Sequence, residues 1–228
     1  MPENSRLLNL AIEVEMPLVK VLAEMQLNGM EVDQAYAKRL SNKYHKLLDS
    51  IDGEISNELK LLKDKINSWR QTEDASYKPS KKTGEGFGKS KNEQLEDPIN
   101  LASPTQLAIL LYDVLKAPEV NKKSPRGTGE EDLKQIDEKL NLPLIKLILK
   151  RREYVKLIST YVDTIPELAT RWKDGRVRTH FNAYGAATGR LSSSDPLNFQ
   201  NIPAKNKLIR MLFCAKDGYK IVGSDYSA

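Results

Sequence analysis

Residues 179–228 read THFNAYGAATGRLSSSDPLNFQNIPAKNKLIRMLFCAKDGYKIVGSDYSA, and the rest of the chain is understood outward from them. Alternation at Val177, Thr179 and Phe181 predicts a short strand leading into a Gly/Ser/Asn-rich loop that holds one arginine, Arg190. A polar segment follows (Asn198, Gln200, Asn201) and closes at Pro203. The remainder predicts a hairpin: Leu208 to Ala215 runs out, Lys216-Asp217-Gly218 turns, and Tyr219 to Ser224 returns. The returning strand delivers Asp225 where the apolar run stops. A carboxylate at the exit of a buried strand is where rigid backbone can aim a metal ligand.

Composition narrows the class. At 228 residues the chain can form one large or two modest domains. Its 29% charged residues exceed the usual ~25%, and the formal net charge of +5 fits a surface that meets polyanions. A single cysteine, Cys214, excludes an internal disulfide framework and suits a reducing compartment; on a strand it reads as a small buried apolar residue. No apolar run reaches the ~18–20 residues of a membrane span and no signal-peptide pattern opens the chain, so a cytoplasmic protein with no membrane partner is expected.

In chain order, residues 5–28 predict an amphipathic helix with Leu8, Ile12, Leu18, Val19, Leu22 and Met25 on or near one stripe, ended by Asn28-Gly29. Residues 30–33 are extended, and Asp33 can cap the next helix, about 34–66, whose Leu40, Tyr44, Ile51 and Ile55 recur at core spacing. From Asn67 to Pro98 the pattern dissolves into lysines, glycines and serines, a flexible basic insertion with Trp69, Tyr77 and Phe87 as its aromatics. Ser103-Pro104 opens a helix to Leu115. A basic loop with Lys123 and Arg126 precedes Thr128, a plausible cap for a helix at 130–140. The longest periodic segment, about 143–165, sets Leu144, Ile148, Val155, Ile158 and Val162 against Lys146, Lys150, Arg151, Arg152 and Lys156. A basic helix face is commonly just a solvated one. His45 reads as a surface residue and His180 as a structural one.

The run ATGRLSSSDPLNFQNIP (187–203), followed by IVGSDYS (221–227), closely resembles the family A DNA polymerases. EVEMPLVKVLAEMQLNGMEVD (13–33) is similar to the helix that opens their polymerase domain, and SPRGTGEEDLKQI (124–136) through LPLIKLILKRREYVKLISTYVDTIPEL (142–168) to their thumb. Two departures are visible: Leu197 is an extra residue between Pro196 and Asn198, and Ala228 stands where bacterial members usually have Gln. The resemblance implies a mostly α fold with a small α+β end, in which a helical thumb-like arm precedes an incomplete palm sheet. It implies opening helices at 1–66, the insertion at 67–98, the thumb-like region at 99–172 and the start of the palm at 173–228.

The chemistry implied is nucleotidyl transfer, carried by positioning and charge neutralisation around two Mg²⁺ ions. Asp225 is then the first metal-binding aspartate, with the backbone carbonyl of Tyr226 a further ligand. Arg190 can hydrogen-bond minor-groove acceptors that every base pair presents, which tests pair shape rather than sequence. Asn198, Gln200 and Asn201 are implied primer–template contacts; Lys123, Arg126, Arg152 and Lys156 are implied DNA contacts, and Arg210 either faces the primer phosphates or simply pairs on the hairpin. Asn and Gln in loops also serve simply to hydrogen-bond the local backbone. A fingers helix for the triphosphate and a second catalytic carboxylate do not lie in these residues, so an inactive polymerase portion is expected. A second polypeptide would complete it before deoxynucleoside triphosphates bind, in a bacterial cell or a phage-infected host. Two other readings are a non-catalytic primer–template-binding module and an unrelated helical interaction protein.

Overall fold

The computed structural model describes residues 2–76, 90–186 and 188–224. Contacts divide the chain into two compact units, Met1–Lys46 with Val155–Ala228, and Leu47–Tyr154. The fold is mostly helical with a few short antiparallel strands, as the sequence predicts.

In the first unit, α1 (Pro2–Leu10), a π-helical segment (Ala11–Glu15) and α2 (Met16–Asn28) run in succession. Gly29 ends α2 at φ +55, and a Cβ there would lie 2.6 Å from the Val177 carbonyl oxygen. Only glycine meets both the left-handed backbone and that close approach. Two arginines take up the carbonyls left open at the helix end: Arg176 donates to the Asn28 carbonyl (3.0 Å) and Arg178 to that of Leu27 (2.9 Å). Of the predicted stripe only Leu22 is buried; Leu8, Ile12, Val19 and Met25 are 45–66% exposed.

Strand β1 (Met30–Val32) is central in an antiparallel sheet of order β2-β1-β5, with β2 at Arg176–Val177 and β5 at Phe213–Cys214. Met30 pairs with Val177, and Val32 with Phe213. The Asp33 carboxylate accepts the Tyr36 N–H at 2.8 Å and so caps α3 (Gln34–Leu61), the capping role the sequence assigns it. Ala37, Leu40 and Tyr44 of α3 are buried, as are Ile158, Tyr161 and Val162 of a second π-helical segment (Ile158–Val162) and Ile165, Leu168 and Ala169 of α9 (Thr164–Thr170).

The second unit has one continuous core. Ile51, Ile55, Leu107, Leu110, Leu111, Leu133, Ile136, Leu144, Ile145 and Ile148 are fully or nearly buried in it. They come from α3, α6 (Pro104–Ala108) with its π-helical continuation (Ile109–Val114), α7 (Glu130–Leu140) and α8 (Pro143–Leu157), and Ile66 of α4 (Lys63–Ser76) and Leu95, just after α5 (Lys91–Gln94), join the same core. Ser103 caps α6 through the Gln106 N–H, as expected.

Three local expectations are corrected. The helix expected to end near 66 breaks at Leu62 and resumes as α4 to Ser76, because Ile66 and Trp69, one turn apart, anchor it to the core. Arg70 then binds the Asn92, Leu95 and Glu96 carbonyls and locks the returning chain beside it; residues 77–89 of the expected insertion lie outside the described residues. The N-cap of α7 is Gly129 rather than Thr128, with the Asp132 carboxylate accepting the Gly129 N–H. The expected terminal hairpin is not formed. Residues 207–210 coil into α10 (Lys207–Arg210), β5 is two residues long and pairs with β1, and 219–224 take no sheet partner among the described residues. The turn at 216–218 does form, with Gly218 at φ +84 and the Tyr219 N–H on the Lys216 carbonyl.

Candidate nucleic-acid interface

Strands β3 (His180–Asn182) and β4 (Ser192–Ser194) pair antiparallel, His180 opposite Ser194 and Asn182 opposite Ser192. They support a loop, 183–191, that carries Arg190. Asn182 steadies its start by accepting the Tyr184 N–H (2.9 Å), and Gly189, at φ +72, closes a turn onto the Ala186 carbonyl. A Cβ at Gly185 would strike the Ser192 hydroxyl at 2.1 Å, so the loop hugs its own strand there. The exposed Tyr184 phenol is pushed up by its hydrogen bond to the Glu15 carboxylate.

The polar segment after β4 is mostly satisfied from within. Ser193, 3% exposed, donates its hydroxyl to Asn198 Oδ1 at 2.7 Å. Asn198 Oδ1 also accepts the Gln200 N–H (2.9 Å), which caps the 3-10 turn Phe199–Asn201. The Gln200 amide bridges two backbone groups, accepting from the Ser193 N–H (3.2 Å) and donating to the Leu191 carbonyl (2.8 Å). Asn198 and Gln200 thus staple the loop. Phe199 stacks edge-on against Phe213 at 6.0 Å and fixes the turn from behind. Two side chains are left over: Arg190 and Asn201 are exposed, and neither side chain has a hydrogen-bond or ion-pair partner among the described residues. Arg210 and Lys156 are exposed too, at the end of α10 and near the end of α8. His180 is exposed, at the start of β3.

In the second unit the predicted basic residues fare differently. The Arg126 guanidinium clamps Asp113 through both its terminal nitrogens and lies 5.4 Å over the Tyr112 ring. Burial pushes the Asp113 carboxyl up, but hydrogen bonds from Arg126 and Lys91 outweigh it and hold the group below the usual carboxylate range. Arg152 donates to the Thr128 carbonyl at 2.5 Å, and burial lowers its pKa. Tyr112 completes the clasp, its hydroxyl on the Gly127 carbonyl at 2.6 Å. Lys123 stays exposed.

Arg190, Asn198, Gln200, Asn201, Arg210 and Lys156 belong to one unit, Lys123, Arg126 and Arg152 to the other. Asp225 and Tyr226 lie outside the described residues. Among the described residues no cluster of three or more His, Cys, Asp or Glu side chains could hold a metal ion, and no helix is long and apolar enough to cross a membrane. Sequence reasoning missed Ser193 and Tyr161; the only available signals were a serine run beside the loop and a tyrosine at a core-spaced helix position.

Comparison with known proteins now identifies the class. The chain belongs to DNA polymerase family A, whose family model matches residues 74–228. It is 36% identical over 228 residues to the thermostable DNA polymerase I of Thermus aquaticus, covering 97% of this chain and 23% of that protein. DNA polymerase I of Helicobacter pylori strain J99 is 39% identical over 225 residues, covering 97% and 20%. Among solved structures, the POL domain of Pol1 from M. smegmatis, in complex with DNA primer-template and dNTP, superimposes with a TM-score of 0.69 at 28% identity, covering 96% of this chain and 32% of that one. The chain spans about a fifth of the length of the curated relatives it matches.

Proposed function

We propose that this chain is the part of a template-directed DNA polymerase that grips primer–template DNA and presents the first catalytic carboxylate, Asp225, to the growing strand. One observation carries the reading. In the loop ahead of Asp225 the polar side chains divide into those bound to the protein's own backbone (Asn198, Gln200) and those left exposed without a partner among the described residues (Arg190, Asn201). A braced loop whose arginine fork and amide have no partner among the described residues suits minor-groove acceptors common to all base pairs. The M. smegmatis relative, described with primer-template and dNTP, supports the same reading.

In this reading residues 1–66 open the polymerase domain, 67–98 form a basic insertion, 99–172 make the thumb and 173–228 begin the palm. Lys156 and Arg210 meet phosphates in the first unit. Lys123 does so in the second, where Arg126 and Arg152 act by shaping the loop that displays it. Asp225 and the Tyr226 carbonyl fit Mg²⁺ by donor chemistry, since both offer hard oxygen ligands. When bound, the metal neutralises charge at the reacting phosphate. The second carboxylate and the triphosphate-binding groups come from residues outside these 228, on the same or a second polypeptide.

Primer extension tests the proposal. The 228-residue chain alone is expected to bind primer–template without extending it, and to extend once a polypeptide bearing the fingers and second carboxylate is added. In that completed enzyme Asp225→Asn should lower extension about a hundredfold or more, several kcal/mol of charge stabilisation. Undiminished extension by D225N would falsify the assignment.

A further inference from the structure

Tyr161 sits in the π-helical segment Ile158–Val162, 6% exposed, and its hydroxyl donates to the Asn201 carbonyl at 2.5 Å across 40 residues of sequence. That carbonyl ends a 3-10 turn, where the turn itself leaves backbone acceptors without partners. The Asn201 N–H is already taken by the Asn198 carbonyl. Both backbone groups of Asn201 are therefore fixed, one by the turn and one by the tyrosine, while its side chain is exposed with no partner among the described residues. The base of the tyrosine is held as well. Asp163, two residues on, accepts from the Ser41 hydroxyl at 2.7 Å and lies 2.9 Å from His45 Nε2, which ties this stretch of helix to α3.

We infer that Tyr161 is a positioning residue for the candidate interface: by binding the Asn201 carbonyl it fixes the direction in which the Asn201 amide is offered to the primer–template duplex. The inference rests on the DNA-binding reading proposed above. It also couples the helix that carries Lys156 to the loop that carries Asn201 through one hydrogen bond, so a phosphate contact and a base-edge contact share one register. A phenylalanine at 161 keeps the packing and removes only the donor. The Asn201 carbonyl then turns to water, and the side chain behind it loses its fixed aim.

The test is a double-mutant cycle on duplex affinity, read by fluorescence anisotropy with a labelled primer–template and the whole chain. Y161F is expected to weaken binding about three- to tenfold, the range of one neutral hydrogen bond. N201A should weaken it comparably, and the double variant should bind no worse than N201A alone. Faster amide exchange at Phe199–Ile202 in Y161F, with little change in melting temperature, would accompany this result. Unchanged affinity in Y161F overturns the inference. So do losses that multiply in the double variant, because the tyrosine would then act on stability rather than through Asn201. If the wild-type chain binds no duplex, or binds it with no dependence on salt, the DNA-binding reading itself fails and this inference with it.

Discussion

In the loop of residues 121–129, Arg126 grips Asp113, lies over Tyr112 and is joined by Arg152, which holds the Thr128 carbonyl. In the loop of residues 183–191, Arg190 touches no protein partner among the described residues, although Asn198, Ser193 and Gln200 knit the strand and turn behind it. Each loop carries one arginine. The first uses its arginine, together with Arg152 of α8, to make itself, and the other builds its framework from neutral amides and hydroxyls and leaves the arginine over. An arginine already in a charge-assisted pair cannot offer the same nitrogens to a phosphate without breaking that pair. Loop charge alone is therefore a poor guide to which cations face a ligand.

The contrast can be broken in several ways. The largest effect expected is on DNA: Arg190→Ala should weaken primer–template binding by about 1–3 kcal/mol, about five- to 150-fold, while changing unfolding stability by less than about 0.5 kcal/mol. Binding by anisotropy beside urea denaturation measures both; a destabilised R190A with intact affinity would reverse the roles given to the two loops. Next, Asp113→Ala should cost about 2 kcal/mol of stability. It leaves Arg126 and Lys91 without their shared carboxylate, at a site where Arg126 is 41% exposed and solvent screens part of the loss. A change in urea midpoint too small to measure would mean the clasp is ornamental. Gln200→Ala should cost about 1 kcal/mol by removing two backbone bridges, and should speed amide exchange at Ser193. The smallest effect is with pH. Because the Asp113 pKa lies below its ordinary 3.8 in the folded state, its contribution is complete above that value and is lost as pH falls through the depressed one. Acid titration of stability should therefore show a component below pH 3.8 that Asp113→Asn removes; a variant with the wild-type acid profile would place that component elsewhere.

How much of this was legible depended on distance along the chain. Gly29, Asp33 and Ser103 announce their turns and caps because the chemistry lies within four residues. The helix through Ser76 was hidden because only Ile66 and Trp69 carry its core contact in a run that otherwise reads as polar. The hairpin expected at 208–224 failed for the opposite reason: β5 finds its partner in β1, about 180 residues earlier, and no local pattern reports that. At the site, the GRLSS…QNIP run made Arg190, Asn198, Gln200 and Asn201 visible as a group. Which of them staple the loop and which remain exposed depends on Ser193 and Leu191 across the turn, and the setting of Asn201 depends on Tyr161 from a distant helix.

The placement of β1 between β2 and β5 has a bearing on how the molecule is born. Residue 30 leaves the ribosome well before the strands that flank it, which arrive only after residues 176 and 214 have been synthesised. The stretch 47–154, whose core is drawn wholly from its own residues, can condense in the meantime. The sheet around β1 then waits on β5, so a nascent chain paused before residue 214 would hold a finished 47–154 core while that sheet is still incomplete.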